Sequence, residues 1–174
     1  YQRIRADLTS RGARFQTKSD SEMILHLYPR LGLDNMLTHL RGEFAFALYD
    51  QDDDRLMLVR DRFGIKPLYW TEVNGLVVFG SELKVLFAHP DVPRQFEPQG
   101  VFHQLMQTVV PGSTAFKGIH QVKPGHVLDI KRRDGKLHIT EKKYWDMPFP
   151  EEHSRPENYS EEEWIEAVRE KLLE

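Results

Sequence analysis

Gly42-Glu43-Phe44-Ala45-Phe46-Ala47-Leu48-Tyr49-Asp50 carries apolar residues in both phases of an extended chain. Phe44, Phe46 and Leu48 fall on one face and Ala45, Ala47 and Tyr49 on the other, so the stretch reads as a strand buried on both sides. Such a strand needs a packed layer over each face.

Working downstream, the acidic run Gln51–Asp54 turns the chain into a second strand, Leu56–Arg60. Two more, Pro67–Glu72 and Leu76–Gly80, flank Asn74-Gly75, a strong hairpin-turn signal, and the four together read as an antiparallel meander. Helices are predicted from Glu82 to Ala88, ended by Pro90, and from Pro98 to Val109, where Pro98 suits the first turn and Pro111-Gly112 stops it. His126–Lys131 and Leu137–Tyr144 flank Asp134-Gly135, a second hairpin. Met147–Tyr159, with three prolines, reads as a linker. Ser160-x-x-Glu163 then caps a helix whose stripe of Trp164, Ile165, Val168 and Leu172 lacks an evident partner surface.

Upstream, Ser19-x-x-Glu22 forms a capping box before Met23, Ile24, Leu27 and Tyr28, and Pro29 closes that helix. Leu33, Met36, Leu37 and Leu40 give a second short amphipathic helix. The class is therefore α+β, antiparallel sheets covered by helices.

With 174 residues, 40% of them hydrophobic, the chain closes one core. Lys and Arg number 24 against 27 acidic residues, net charge -3, so no global field draws it to nucleic acid or an anionic membrane. No apolar run reaches the ~20 residues of a membrane helix, and Tyr1–Leu8 is no signal region, which gives a cytoplasmic expectation. The absence of cysteine removes disulfides, thiolate metal sites and a cysteine nucleophile from the chain, and fits a reducing compartment. Because the sequence opens at Tyr1 inside a helix-like stretch, the natural polypeptide is expected to begin further upstream.

Asp50, Asp52 and Asp54 alternate like the start of a calcium loop, but Arg55 stands where glycine is required and no closing glutamate follows. The eight histidines show no ligand spacing, so no metal site is predicted. Gly-x-Ser-x-Gly and the phosphate-binding glycine patterns are absent too, leaving serine hydrolysis and nucleotide binding unsupported in this chain. Arg60–Trp70 clusters four charges around one glycine, and on physics alone it is a loop in which Arg60 pairs with Asp61. Asp20, at a helix start, is explained by capping alone.

Taken together, Phe15–Tyr28 (FQTKSDSEMILHLY), Leu40–Asp50 (LRGEFAFALYD), Arg60–Trp70 (RDRFGIKPLYW), Phe79–Leu86 (FGSELKVL) and Val122–Asp146 resemble, in order, the class II glutamine amidotransferase domain of glutamine-dependent asparagine synthase, an N-terminal-nucleophile (Ntn) hydrolase. The resemblance implies an αββα sandwich, two antiparallel sheets between helical layers, here missing its N-terminal strands. It implies that an N-terminal cysteine attacks the glutamine side-chain amide, its α-amino group acts as base, and ammonia is released. In the family that cysteine, the arginine segment that grips the substrate carboxylate and the Asn-Gly pair of the oxyanion hole all precede the helix that here begins near Tyr1. No catalytic residue is therefore assigned in this chain, and the chain alone is expected not to hydrolyse glutamine. Asp20 matches the family aspartate that holds the α-ammonium of glutamine, so substrate binding joins capping as its expected role. Arg60–Trp70 and Phe79–Leu86 are expected to be structural, supporting the sheet and the contact with a following domain.

The same resemblance divides the chain into residues 1–146, the amidotransferase part, a linker over 147–159, and 160–174, the start of a synthetase domain. It places ATP and Mg in that synthetase domain and no cofactor here. The partners it implies are glutamine and the synthetase domain. Two alternatives stay open: a degenerate domain serving as scaffold or regulator, and the amidotransferase part of another amide-forming synthetase.

Overall fold

A computed structural model describes residues 2–108, 110–147, 149 and 159–173. The elements in chain order are α1 (Gln2–Ser10), α2 (Glu22–His39), β1 (Ala45–Asp50), β2 (Arg55–Arg60), β3 (Tyr69–Val73), β4 (Leu76–Gly80), α3 (Leu83–Leu86), α4 (Pro98–Leu105), β5 (His120–Gln121), β6 (His126–Arg133), β7 (Lys136–Lys143) and α5 (Glu161–Leu173).

Two antiparallel sheets form, one ordered β1-β2-β6-β7 and the other β4-β3-β5. The expected single meander is thereby corrected. β1 and β2 pair, but the chain then crosses to the other sheet before β3, and β2 takes β6 as its second neighbour. The Asp61–Leu68 segment carries the chain across, and the pleat of β2 then gives each of its faces a separate cover. Met57 and Val59 point into a cluster with Met23, Leu27, Met36, Leu37 and Leu48 beneath α1 and α2. Leu58 points the other way, to Leu68, Val122, Leu128 and Ile130 between the sheets. A third cluster, Leu86, Val92 and Ile119 with Tyr69 and Val78, lies between the second sheet and the α3 region. Helix, sheet, sheet, helix is thus the layer order, and each of these apolar side chains contributes roughly 1.5–3 kcal/mol by leaving water.

β1 obeys this alternation only in part. Phe44, Phe46 and Leu48 join the α2 cluster and Ala45 the inter-sheet cluster, yet Ala47 and Tyr49 are exposed, Tyr49 at 57%. β1 ends its sheet, so the second layer does not reach that far.

Local signals meet varied outcomes. Asn74-Gly75 and Asp134-Gly135 adopt φ 50/72 and 50/74, the paired positive values of a two-residue hairpin turn. Pro29 does not end its helix. α2 runs to His39 and breaks at Gly32, whose φ of 70 and ψ of 172 only glycine adopts at low cost. α4 stops at Leu105 because Gln107 turns left-handed, φ 54, and Val109 lies outside the described residues. The Glu82–Ala88 helix shrinks to Leu83–Leu86, with Ala88 and His89 donating to Val85 and Leu86 in a tighter turn. β3 starts at Tyr69, two residues later than expected.

Most of the expected linker lies outside the described residues. Beyond it, the Ser160 amide donates to Glu163 at 2.7 Å and the Glu163 amide to the Ser160 hydroxyl at 3.3 Å, a complete capping box. No residue of α5 is buried, so its apolar stripe faces solvent.

Candidate functional site

The loop from Asp61 to Leu68 makes the sheet-to-sheet crossing, and two ionised side chains build it. Asp61, 1% exposed, accepts the amides of Phe63 (3.1 Å), Ile65 (3.0 Å) and Lys66 (2.9 Å). Arg60 donates to the carbonyls of Lys66 (2.8 Å), Val122 (2.8 Å) and Gly64 (2.5 Å), and burial lowers its pKa. Instead of pairing with each other, as the sequence led us to expect, the two divide the backbone of one loop between them. A buried carboxylate needs donors and a guanidinium needs acceptors, and the turn supplies both sets. Gly64 is obligatory here: φ is 65, and a Cβ would lie 2.8 Å from Pro124 and 2.9 Å from the Arg60 guanidinium.

A second stitched loop precedes α2. Glu22 accepts the amides of Gln16 (2.6 Å) and Thr17 (2.8 Å) and the Thr17 hydroxyl (2.7 Å), with His26 3.6 Å away. The Thr17 hydroxyl bond, then the amides, pull the Glu22 carboxyl down to about 2. The expected Ser19–Glu22 capping box is therefore not made. Ser21 is the cap position, and the Ser19 hydroxyl accepts the Ser21 amide at 3.2 Å. Sequence reasoning missed Glu22 as the loop's anchor, since its partners lie upstream of the helix signature.

These two loops face one cleft of about 630 Å³. Asp20 and Ser21 come from the loop before α2, Lys66 and Pro67 from the crossing loop, and Leu40, Arg41, Glu43–Phe46 and Ser81 add to the wall. Met23, Ile24, Phe44 and Phe46 give it an apolar floor. Charges of both signs rim it: Asp20, Arg3 and Arg41, with Glu43 paired to Lys66 at 3.1 Å. Among the described residues the Asp20 carboxylate accepts no hydrogen bond, and only its backbone carbonyl enters the helix, accepting the Met23 amide at 3.0 Å. Capping by the side chain is thus not used, and the carboxylate stands at the cleft with its acceptor capacity unspent. A helix N-terminus beside it adds partial positive charge. The Asp20 carboxylate favours a cationic group and the apolar floor an aliphatic stem, whereas the helix N-terminus, Arg3 and Arg41 favour an anionic group, so the cleft suits a small ligand carrying both charges.

The segments whose resemblance was noted, around Asp20, Leu40–Phe46, Lys66–Pro67 and Ser81, are therefore brought together at one place. Sequence spacing gave no sign that Lys66 or Ser81 would sit near Asp20.

Comparison with known proteins identifies the family and the fold. The model of the glutamine amidotransferase domain family matches residues 1–145. Asparagine synthetase [glutamine-hydrolyzing] 3 of Bacillus subtilis is 37% identical over 83% of this chain and 23% of its own length. Amidase chyE of Penicillium rubens is 37% identical over 92% of this chain and 23% of its own. This chain spans only 23–26% of the length of the first curated relatives it matches. Among solved structures, the glutamine phosphoribosylpyrophosphate amidotransferase of B. subtilis superimposes with a TM-score of 0.54 at 21% identity, over 83% of this chain and 26% of that one. That likeness supports the Ntn amidotransferase fold. On the family match, and on 33–37% identity to three B. subtilis asparagine synthetases over at least 83% of its length, the chain belongs to the glutamine amidotransferase domain family and is related to the glutamine-hydrolysing asparagine synthetases.

Proposed function

We propose that this chain is part of the glutaminase portion of a larger glutamine-dependent asparagine synthase, and that Asp20 binds the α-ammonium of glutamine. The observation that carries the reading is the position of Asp20: a carboxylate that accepts no hydrogen bond among the described residues, on the cleft where four family-like segments converge. The apolar floor takes the substrate methylenes, and the ammonium leaves water for a carboxylate of opposite charge. In the whole protein, residues 1–146 serve as amidotransferase, 147–159 as linker, and 160–174 begin a synthetase domain. That domain uses ATP and Mg to activate aspartate and takes up the ammonia released. The compartment is the cytoplasm.

Within the chain itself there is no thiol, because there is no cysteine. The amide carbon of glutamine then meets no thiolate, and the 174-residue polypeptide is inactive as a glutaminase. Purified chain incubated with glutamine should release no ammonia above a heat-killed control, and ammonia above that control overturns the proposal. Binding is tested separately: glutamine should perturb NMR signals around Asp20, and Asp20→Ala should abolish that response while the fold persists.

A second reading has its own support. Similarity to Amidase chyE is as high as to asparagine synthetase 3, so identity does not single out asparagine synthase, and the amidotransferase part of another amide-forming synthetase is the second reading. The missing thiol equally suits a scaffold or regulatory domain. The flanking coding sequence separates these, since a cysteine start and an ATP-pyrophosphatase motif belong to the first reading.

A further inference from the structure

Asn74 and Gly75 form the exposed tip of the β3–β4 hairpin. Gly75 shields its own nitrogen less than any other residue could, and no atom lies within 4 Å of the point where a Cβ would stand. Two contacts restrain the tip. The Asn74 side-chain amide donates to Asp91 at 3.0 Å, from the segment after α3, and Arg132 of β6 donates to the Gly75 carbonyl at 3.4 Å. The other asparagines, Asn35 and Asn158, precede the bulky Met36 and Tyr159.

We propose that Asn74 is a site of spontaneous deamidation whose rate is set by its bond to Asp91. The backbone nitrogen of Gly75, having lost its proton to solvent base, attacks Asn74 Cγ. The N–Cγ bond forms, the Cγ–Nδ2 bond breaks, and the amide nitrogen takes up a proton from water and leaves as ammonia. The resulting five-membered imide adds one water at either carbonyl and opens to aspartate or isoaspartate. The sum is amide plus water giving acid plus ammonia, with no cofactor. The left-handed turn and the Asp91 bond hold the amide in its native rotamer, so the tip must open before attack.

The product matters to the fold. A carboxylate at position 74 faces the Asp91 carboxylate, and repulsion replaces a hydrogen bond. Isoaspartate also lengthens the backbone by one carbon in a turn that admits two residues, displacing the Val73–Leu76 pair. The hairpin is thereby released from the segment after α3.

Incubation of the 174-residue protein at mildly alkaline pH, followed by peptide mapping with fragmentation that distinguishes isoaspartate, tests the assignment. Expected is acid at position 74, as mixed aspartate and isoaspartate, well ahead of Asn35 and Asn158. Asp91→Ala should speed the conversion roughly two- to fivefold, the weight of an exposed hydrogen bond. Asn74→Asp should lower the melting temperature, and Asp91→Asn added to it should recover part of the loss, a comparison that stands even if Asp91→Ala folds poorly. Conversion at position 74 no faster than at Asn35, or a rate unmoved by loss of Asp91 in a folded variant, overturns the proposal.

Discussion

The hydroxyl of Tyr144 donates to the backbone carbonyl of Arg60 at 2.9 Å, across 84 residues of chain. Just beside it the amides of Tyr144 and Trp145 both reach the Gly125 carbonyl, at 2.9 and 3.2 Å. The exit of β7 is thereby fastened to the loop that carries the chain between sheets. That loop holds Lys66 and Pro67 at the cleft, so the fastening is structural in cause and bears on the site in effect.

Tyr144 should make the fold alkali-sensitive. Burial, with the Asp61 charge second, pushes its phenol from 10.0 up to about 12. The folded pKa exceeds the unfolded one, so the associated stability is complete below pH 10 and is lost as pH rises through 12. Urea denaturation across that range should show the decline in the parent and a flatter course in Tyr144→Phe. The variant should cost about 1 kcal/mol at neutral pH for the lost hydrogen bond.

Glu22 should act at the opposite end of the scale. Its carboxyl sits at about 2 against an ordinary 4.5, so its contribution is present above 4.5 and vanishes as pH falls through 2. Glu22→Gln should remove that acid-side slope in melts recorded from pH 5 downward, by protonation-independent loss of the loop anchor. A slope identical in parent and variant would refute this role for Glu22.

Asp61→Ala should be among the most damaging single changes. It strands three backbone donors beneath the crossing loop and costs roughly 3 kcal/mol. Asp61→Asn, which keeps one acceptor oxygen, should fall between parent and alanine. Equilibrium unfolding in urea with both variants checks the order.

Gly100→Ala tests packing rather than polarity. A Cβ at this buried position of α4 would stand 2.0 Å from the Thr114 carbonyl oxygen, a backbone atom with little room to yield. Overpacking should cost roughly 1–3 kcal/mol despite the better helix propensity of alanine. Exposed neighbouring Gln99→Ala should be near neutral, and calorimetric melting of the pair gives the comparison.

How far the sequence reached is clearest where one signature met two fates. Ser19-x-x-Glu22 and Ser160-x-x-Glu163 read alike, yet only the second makes a capping box. Glu22 instead finds three donors from Gln16 and Thr17, which the incoming loop folds against it, and a local pattern does not register such competitors. The need for a layer over each face was legible in the two apolar phases of Phe44–Tyr49, whereas the helix-sheet-sheet-helix order came from the family likeness. Strand partners were not legible: β2 offers the same pattern whether β3 or β6 lies beside it, and the crossing at Asp61–Leu68 decides. At the cleft, Asp20 was marked by family likeness, whereas Lys66 and Ser81 arrive there through tertiary folding alone.

The pairing of Met57 with Asp129 has a consequence for how the molecule comes into being. A ribosome delivers β2 long before β6, so the central ladder of the larger sheet waits for most of the chain to emerge. Loop closure over that distance makes acquisition of the native state slow compared with hairpin-by-hairpin assembly. Nascent chains that stall before His126 leave β2 as an open border, ready to be met by a chaperone or by one another.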